Sequence, residues 1–132
     1  MLNLTLTISG STSLITLNIQ PSPAVASQSA VVTCNVTNSE DAEYGLYIQP
    51  PHSADECTID CNGPRNPACG YTQKDCTCKE GPPDTDGYCP VGNTEVCYTV
   101  SEVTAGMSGV WFCHPYGRSV EGNFTLTVTS KL

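Results

Sequence analysis

Apolar and polar residues alternate along several short stretches of the chain, and such alternation is typical of half-buried β-strands. We label these stretches in chain order as strand A near residues 15–19, B at 29–37, C at 44–49, E at 94–100, F at 109–114 and G at 123–129. Residues 2–9 alternate too, so residues 1–13 are expected to hold an extra N-terminal strand or the end of a preceding domain. Ten Pro and eleven Gly argue against long helices. The pattern therefore predicts an all-β fold.

Residues 52–93 break this pattern. They contain few apolar residues but many cysteines, which are Cys57, Cys61, Cys69, Cys76, Cys78 and Cys89. Because such a segment is too poor in apolar side chains to form its own core, we expect disulfides to hold it together. Cys97 follows in strand E and faces away from the apolar side, where it is well placed to tie the segment to the sheet.

The end of strand E and the start of strand F carry the motif Val103-Thr104-Ala105-Gly106-Met107-Ser108-Gly109-Val110-Trp111-Phe112-Cys113. Residues two apart on a strand share a face, so Trp111 and Cys113 point the same way. With a partner cysteine in strand B, Cys34, the motif resembles the E–F corner of immunoglobulin superfamily domains. The resemblance implies a disulfide between Cys34 and Cys113 with Trp111 packed on it.

The same resemblance implies an immunoglobulin-like antiparallel β-sandwich formed by a single domain, residues 1–132. The cysteine-rich, disulfide-stapled segment 52–93 is then an insertion between strands C and E that replaces the strands C′, C″ or D. The chain departs from the family at Met107, where an Asp often stands. Trp111 is its only Trp, so we expect Tyr47 to replace the usual strand-C tryptophan in the core.

Cysteine spacing in the insertion resembles an epidermal growth factor-like module. That resemblance implies the pairs Cys57–Cys69, Cys61–Cys76 and Cys78–Cys89, with Cys97 left over. A disulfide loop particular to this chain is the alternative, because six cysteines allow about fifteen connectivities.

Nine cysteines without any C-x-x-C pair favour disulfides over zinc, and so an oxidising compartment. Sequons at Asn3, Asn35 and Asn123 predict glycosylation and agree with a secreted or extracellular protein. The net charge of −8 makes nucleic acid an unexpected partner, and no apolar run is long enough to span a membrane. Turn carboxylates such as Asp84 and Asp86 lack the other ligands of a calcium loop. We therefore predict no metal and no cofactor.

Residues 14–39 also resemble the N-terminal immunoglobulin domains of molluscan fibrinogen-related proteins, which are secreted, lectin-like immune proteins. This favours a non-catalytic recognition module, immune or adhesive, with a protein or carbohydrate ligand. The alternatives are a structural spacer in an extracellular array and a toxin-like effector that uses the cysteine-rich loop. No histidine has an evident nucleophile partner, so an enzyme is not expected.

The sequence offers two candidate binding surfaces. If Tyr47 and Trp111 point inward, the neighbouring residues Leu46, Ile48, Val110 and Phe112 gather on the outer C–F sheet face, and such apolar patches mark interfaces. The F–G turn presents Tyr116 and Arg118, residue types enriched at binding hot spots. A homodimer through the odd cysteine or through the outer C–F face is a further expectation.

Overall fold

The computed structural model describes residues 14–52, 57–63, 69–71, 75–79 and 81–130. Their strands are β1 Ile15–Gln20, β2 Ala24–Val25, β3 Ala30–Val36, β4 Leu46–Gln49, β5 Ile59–Asp60, β6 Cys76–Cys78, β7 Glu95–Val100, β8 Gly109–Pro115, β9 Gly122–Leu126 and β10 Val128–Thr129. Short 3₁₀ turns cover Ser39–Ala42 and Ala105–Met107. The all-β prediction is confirmed, while the expectation for residues 1–13 lies outside the described residues.

The strands form two four-stranded antiparallel sheets with the orders β1-β3-β7-β6 and β5-β4-β8-β9. A separate short pair joins β2 to β10 in parallel. The insertion supplies an edge strand to each large sheet, because β5 pairs with β4 and β6 pairs with β7. The insertion was expected to take the place of strands in this region, and it contributes two short strands of its own.

One apolar cluster fills the space between the two large sheets. The strands β1, β3 and β7 bury every second side chain, as their alternation predicts. Trp111 and Cys113 of β8 are fully buried in the same cluster. A disulfide between Cys34 on β3 and Cys113 on β8 links the two sheets through this core.

The turn before β8 is closed by the tryptophan itself. The indole Nε1 of Trp111 donates a hydrogen bond of 2.9 Å to the carbonyl oxygen of Met107. A buried indole N–H needs such a partner, because leaving it without one costs free energy. The 3₁₀ turn that contains Met107 therefore supplies a backbone acceptor at the position where the family often carries an Asp.

Asn62 anchors the insertion to the start of β4. Its side-chain oxygen accepts a hydrogen bond from the backbone N–H of Leu46 at 2.9 Å, and its amide nitrogen donates to the carbonyl oxygens of Cys89 and Pro90 at 3.1 Å. Gly45, at φ +97°, lies directly beneath, and a Cβ there would approach the side-chain oxygen of Asn62 to 2.7 Å. The close approach of insertion and strand thus requires glycine at this position.

Candidate binding face on the β4–β8 sheet

The register of β4 against β8 decides which residues face outward. Ile48 lies opposite Cys113, and Tyr47 lies opposite His114. Directly opposed residues share a face, so Ile48 points into the core with the disulfide and Tyr47 points out. Leu46 and Ile48 are in fact fully buried. The prediction that they form part of the outer face is therefore wrong, as is the prediction of Tyr47 as a core aromatic.

Four rings occupy the outer side of this sheet instead: Tyr47, Phe112, His114 and Tyr116, which together we call the aromatic face. His114 stacks on Tyr47 with ring centroids 4.9 Å apart and an angle of 18° between the planes. Phe112 also stacks against His114, with ring centroids 5.8 Å apart, and the Tyr116 ring lies 4.5 Å from that of Tyr47. All of them are partly exposed to solvent.

A buried carboxyl group lies under one end of the aromatic face. Asp60 of β5 is fully buried, and its Oδ2 accepts a hydrogen bond of 2.8 Å from the hydroxyl of Tyr116. Its Oδ1 accepts another from the backbone N–H of Asn62 at 2.9 Å. Because a buried carboxyl group is costly without such bonds, Asp60 fixes the position of the Tyr116 ring. The insertion thereby helps to shape the face.

Glu121 sets the electrostatics at the middle of the face. Its carboxylate lies 3.8 Å from Nδ1 of His114. Burial lowers the pKa of His114 from its usual value near 6.5, and the negative charge of Glu121 opposes this shift. Burial also raises the pKa of Tyr47, with a further contribution from Glu121 in the same direction. The lowered pKa of His114 and the raised pKa of Tyr47 both favour uncharged rings on this face at neutral pH.

The two residues predicted at the F–G turn have separate roles. Tyr116 belongs to the aromatic face, whereas Arg118 reaches across to the 3₁₀ turn Ser39–Ala42. The Arg118 guanidinium donates to the carbonyl oxygen of Glu40 at 3.0 Å and lies 3.4 Å from a carboxylate oxygen of Asp41. Its Nη2 also lies 3.9 Å from Glu43. Arg118 therefore links two loops, and its role as a binding residue stays a prediction.

The insertion cysteines form the pairs Cys57–Cys69, Cys61–Cys76 and Cys78–Cys89. These are the pairs that the epidermal growth factor resemblance implies. Cys97 is not in a disulfide, although it was expected to be available for tying the insertion to the sheet. Its Sγ lies 3.6 Å from the hydroxyl oxygen of Thr33 on the neighbouring strand. The backbone pairing of β6 with β7 makes that attachment instead.

The predicted glycosylation sites differ in position. Asn35 on β3 is half-buried, and its Nδ2 lies 3.5 Å from a carboxylate oxygen of Glu95. Asn123 on β9 is exposed and lies opposite Phe112. Asn3 lies outside the described residues. Glycosylation at these asparagines stays a prediction.

The acidic turn at Asp84 is organised by its own backbone. Oδ1 of Asp84 accepts hydrogen bonds of 2.9 Å from the backbone N–H groups of Asp86 and Tyr88. Within the described ranges, no group of three or more potential ligand side chains is placed to hold a metal ion. One carboxylate oxygen of Asp84 is therefore used to hold the backbone of its own turn in place.

Sequence reasoning missed Tyr47, His114, Asp60 and Glu121 as members of one site. No local pattern separates the two faces of β4; its register against Cys113 decides which residues point outward, since one shift in register exchanges the two faces. Asp60 gave no signal, because its burial depends on the insertion folding back onto β4.

No protein-family model matches the chain, and no curated protein matches it either. Among the residues that the structure describes, none forms a helix long and apolar enough to cross a membrane.

Proposed function

We propose that this chain is a non-catalytic, immunoglobulin-like recognition domain of an extracellular protein, and that it binds a protein ligand through the aromatic face. The strand orders β1-β3-β7-β6 and β5-β4-β8-β9 support the fold, as they correspond to the A-B-E-D and C′-C-F-G sheets of an immunoglobulin sandwich. The Cys34–Cys113 bridge, which matches the inter-sheet bridge of that family, supports it too. The four disulfides are of the kind that persists in secreted proteins.

The observation that carries this proposal is the set of partly exposed, mutually stacked rings on one side of a sheet. Aromatic residues are enriched at protein interfaces, where they bury a large area with few rotatable bonds. The contacts of Tyr47 with His114 and Tyr116 already restrict these side chains. Less conformational entropy is then lost on binding, which favours affinity.

The shape and charge of the surface indicate the kind of ligand. Small molecules are usually held in concave sites, whereas rings spread over a sheet suit a protein surface. A cavity of about 350 Å³ lies elsewhere and is lined by other residues, among them Tyr71, Tyr98 and Glu102. With Glu121 beside the rings and a net charge of −8, a ligand with a neutral or basic contact surface fits best.

The test is a binding screen of the chain against arrays of secreted and cell-surface proteins, with a glycan array as a second arm. A protein ligand found in this way should bind Tyr47→Asp at least about tenfold more weakly. The matched control is Val31→Asp on the outer side of the other large sheet, where Val31 is 39% exposed, and it should bind like the parent chain.

Three outcomes count against the proposal. Binding that survives Tyr47→Asp but is lost in Val31→Asp would place the binding site on the β1-β3-β7-β6 sheet instead of the aromatic face. Binding to glycans and to no protein would mean that the ligand is a carbohydrate and not a protein. A chain that binds nothing in either arm would favour the alternative function of a structural spacer in an extracellular array.

A further inference from the structure

The sequon on β9 opens onto the aromatic face. Asn123 lies opposite Phe112 and Thr125 lies opposite Val110, and both sequon side chains are exposed. The residue between them, Phe124, lies opposite the buried Trp111 and is half-buried on the inner side. A group attached to Asn123 would therefore start beside Phe112, on the same side of the sheet.

This end of the face is also apolar and open. Val110 is 39% exposed, and Phe112 is only half-buried. Apolar surface of this kind on a sheet is normally covered by a partner or by another part of the molecule. An N-linked glycan is bulky, and the C–H side of its first sugar ring can lie flat on an aromatic ring.

We propose that Asn123 carries an N-linked glycan whose first N-acetylglucosamine lies on the Phe112 ring and covers the Phe112 end of the aromatic face together with the neighbouring Val110. The opposite end, formed by Tyr47 and Tyr116, stays open. The glycan contact itself does not depend on the proposed function. Only its consequence, that a ligand contacts the Tyr47–Tyr116 end, rests on that function.

The attachment chemistry is that of the secretory pathway. Nδ2 of Asn123 attacks C1 of a lipid-linked oligosaccharide diphosphate. A bond from Nδ2 to C1 forms, the bond from C1 to the diphosphate oxygen breaks, and the lipid diphosphate and one proton leave. The donor is supplied by the host cell, and no oxidation or reduction takes place.

The second described sequon provides a matched control. Asn35 lies on the outer side of the other large sheet, where its cross-strand neighbours are Thr16 on β1 and Glu95 on β7. Neither neighbour is aromatic, so a glycan at Asn35 has no directly opposed ring to lie on. The two sites have the same chemistry but different surroundings, which isolates the role of Phe112.

The chain has only two phenylalanines, which makes the contact directly observable. The protein is expressed in a eukaryotic secretory host with ¹³C-labelled phenylalanine, and glycan occupancy is read from the intact mass. In the glycosylated protein we expect nuclear Overhauser effects between the Phe112 ring and the first N-acetylglucosamine. The inward-facing Phe124 should show none.

Removal of the glycan is tested by mutation and by enzyme. Asn123→Gln and Thr125→Ala both destroy the sequon, whereas Thr125→Ser keeps it. The first two should shift the Phe112 ring signals and leave those of Phe124 near their parent positions; Thr125→Ser and Asn35→Gln should leave both unchanged. If the variants fold poorly, amidase treatment of the folded parent protein releases the sugar and leaves Asp at position 123. The Overhauser effects between the Phe112 ring and the sugar should then disappear, and the Phe112 signals should match those of an Asn123→Asp variant, which carries the same charge and no glycan.

The inference is overturned if Asn123 remains unmodified in that host, or if it is modified and the Phe112 signals do not respond to removal. These outcomes are independent of the proposed function, which fails instead when Tyr47→Asp leaves ligand binding intact. A ligand whose affinity falls by about tenfold when the Asn123 glycan is present would show that it needs the covered end, and would contradict the division of the face.

Discussion

The two-sheet body, residues 14–50 and 94–130, and the insertion, residues 52–93, are stabilised in different ways. The body buries alternating apolar side chains from both large sheets around one inter-sheet disulfide. In the described part of the insertion, Ile59 is the only buried apolar residue that is not a cysteine. Three short-range disulfides, with separations of 11 to 15 residues, take the place of a core.

This difference shows how the insertion can extend both sheets while adding only a few side chains, such as Ile59, to the core. Its strands β5 and β6 are two and three residues long, too short to be stable alone, and each gains its stability from a longer neighbour. The disulfides keep the connecting loops compact. The body therefore determines the fold, while the insertion adjusts the edges and the surface, including Asp60 beneath Tyr116.

The largest expected effect comes from removing the inter-sheet bridge. Cys34→Ala with Cys113→Ala opens a loop of 79 residues and should lower the free energy of unfolding by about 4–5 kcal/mol. Cys78→Ala with Cys89→Ala opens a loop of 11 residues and should cost about 3 kcal/mol. Denaturant unfolding followed by Trp111 fluorescence measures both. Equal losses would contradict the distinction between body and insertion.

Truncation of the central aromatic is next in size. Trp111→Ala leaves a cavity in the body and removes a buried hydrogen bond to Met107, so stability should fall by about 3–5 kcal/mol. The comparison is Tyr71 of the insertion, which packs edge-on against Trp111 with ring centroids 5.9 Å apart but is only half-buried. Tyr71→Ala should cost about 1–2 kcal/mol. Thermal unfolding followed by circular dichroism gives the ranking, and a larger loss for Tyr71 would reverse it.

A smaller effect tests the link between the two regions. Tyr116→Phe removes the hydroxyl that donates to the buried Asp60 and should cost about 1–3 kcal/mol. Tyr88→Phe changes the same group at a half-buried position in the insertion and is the control. Urea unfolding should separate the two variants. A loss near zero in Tyr116→Phe would mean that Asp60 does not depend on the ring above it.

The smallest effect is a pH dependence confined to the body. The pKa of His114 is lowered in the folded state, so the folded protein binds a proton there less readily than the unfolded chain. The contribution of His114 to stability is complete above about pH 6.5 and is lost as the pH falls from there through the folded-state pKa. Unfolding between pH 7.5 and 5 should therefore show a steeper decline for the parent chain than for His114→Phe.

Glu121→Gln sharpens that prediction. Removing the carboxylate takes away the interaction that opposes the lowered pKa of His114, so the loss of stability towards low pH should grow. If stability instead falls less steeply towards low pH in Glu121→Gln, Glu121 does not raise the pKa of His114 against the effect of burial.

Sequence patterns predicted most of the body because its strands alternate cleanly. Facing was correct for Ile15, Val32 and Val96, each of which has apolar residues two positions away on the same face. It was correct for Trp111 because that residue was placed on the same face as Cys113. Strand β4 failed because Leu46, Tyr47 and Ile48 are all apolar, so periodicity gives no preference between its faces. Assigning Tyr47 to the core by family analogy then selected the wrong side. The register with β8 settles the question, and that register is a long-range property.

The insertion was predictable in composition but not in conformation. Cysteine spacing suggested three local pairs, yet nothing in the Cys76-Thr77-Cys78 stretch indicates a strand apart from its contact with β7. The same holds for the burial of Asp60, since an isolated Asp in a loop-rich segment reads as exposed. Both features arise only when distant segments meet, which local propensity does not encode.

The parallel pair of β2 and β10 determines how the domain responds to mechanical force. Because the two strands run parallel, tension between the chain before β2 and the chain after β10 draws them in opposite directions along their length. The hydrogen bonds from Ala24 to Thr127 and from Ala26 to Thr129, 3.0 and 2.9 Å long, are then loaded together in shear. Bonds strained together must break together, so this short pair acts as a mechanical clamp when the chain is under tension.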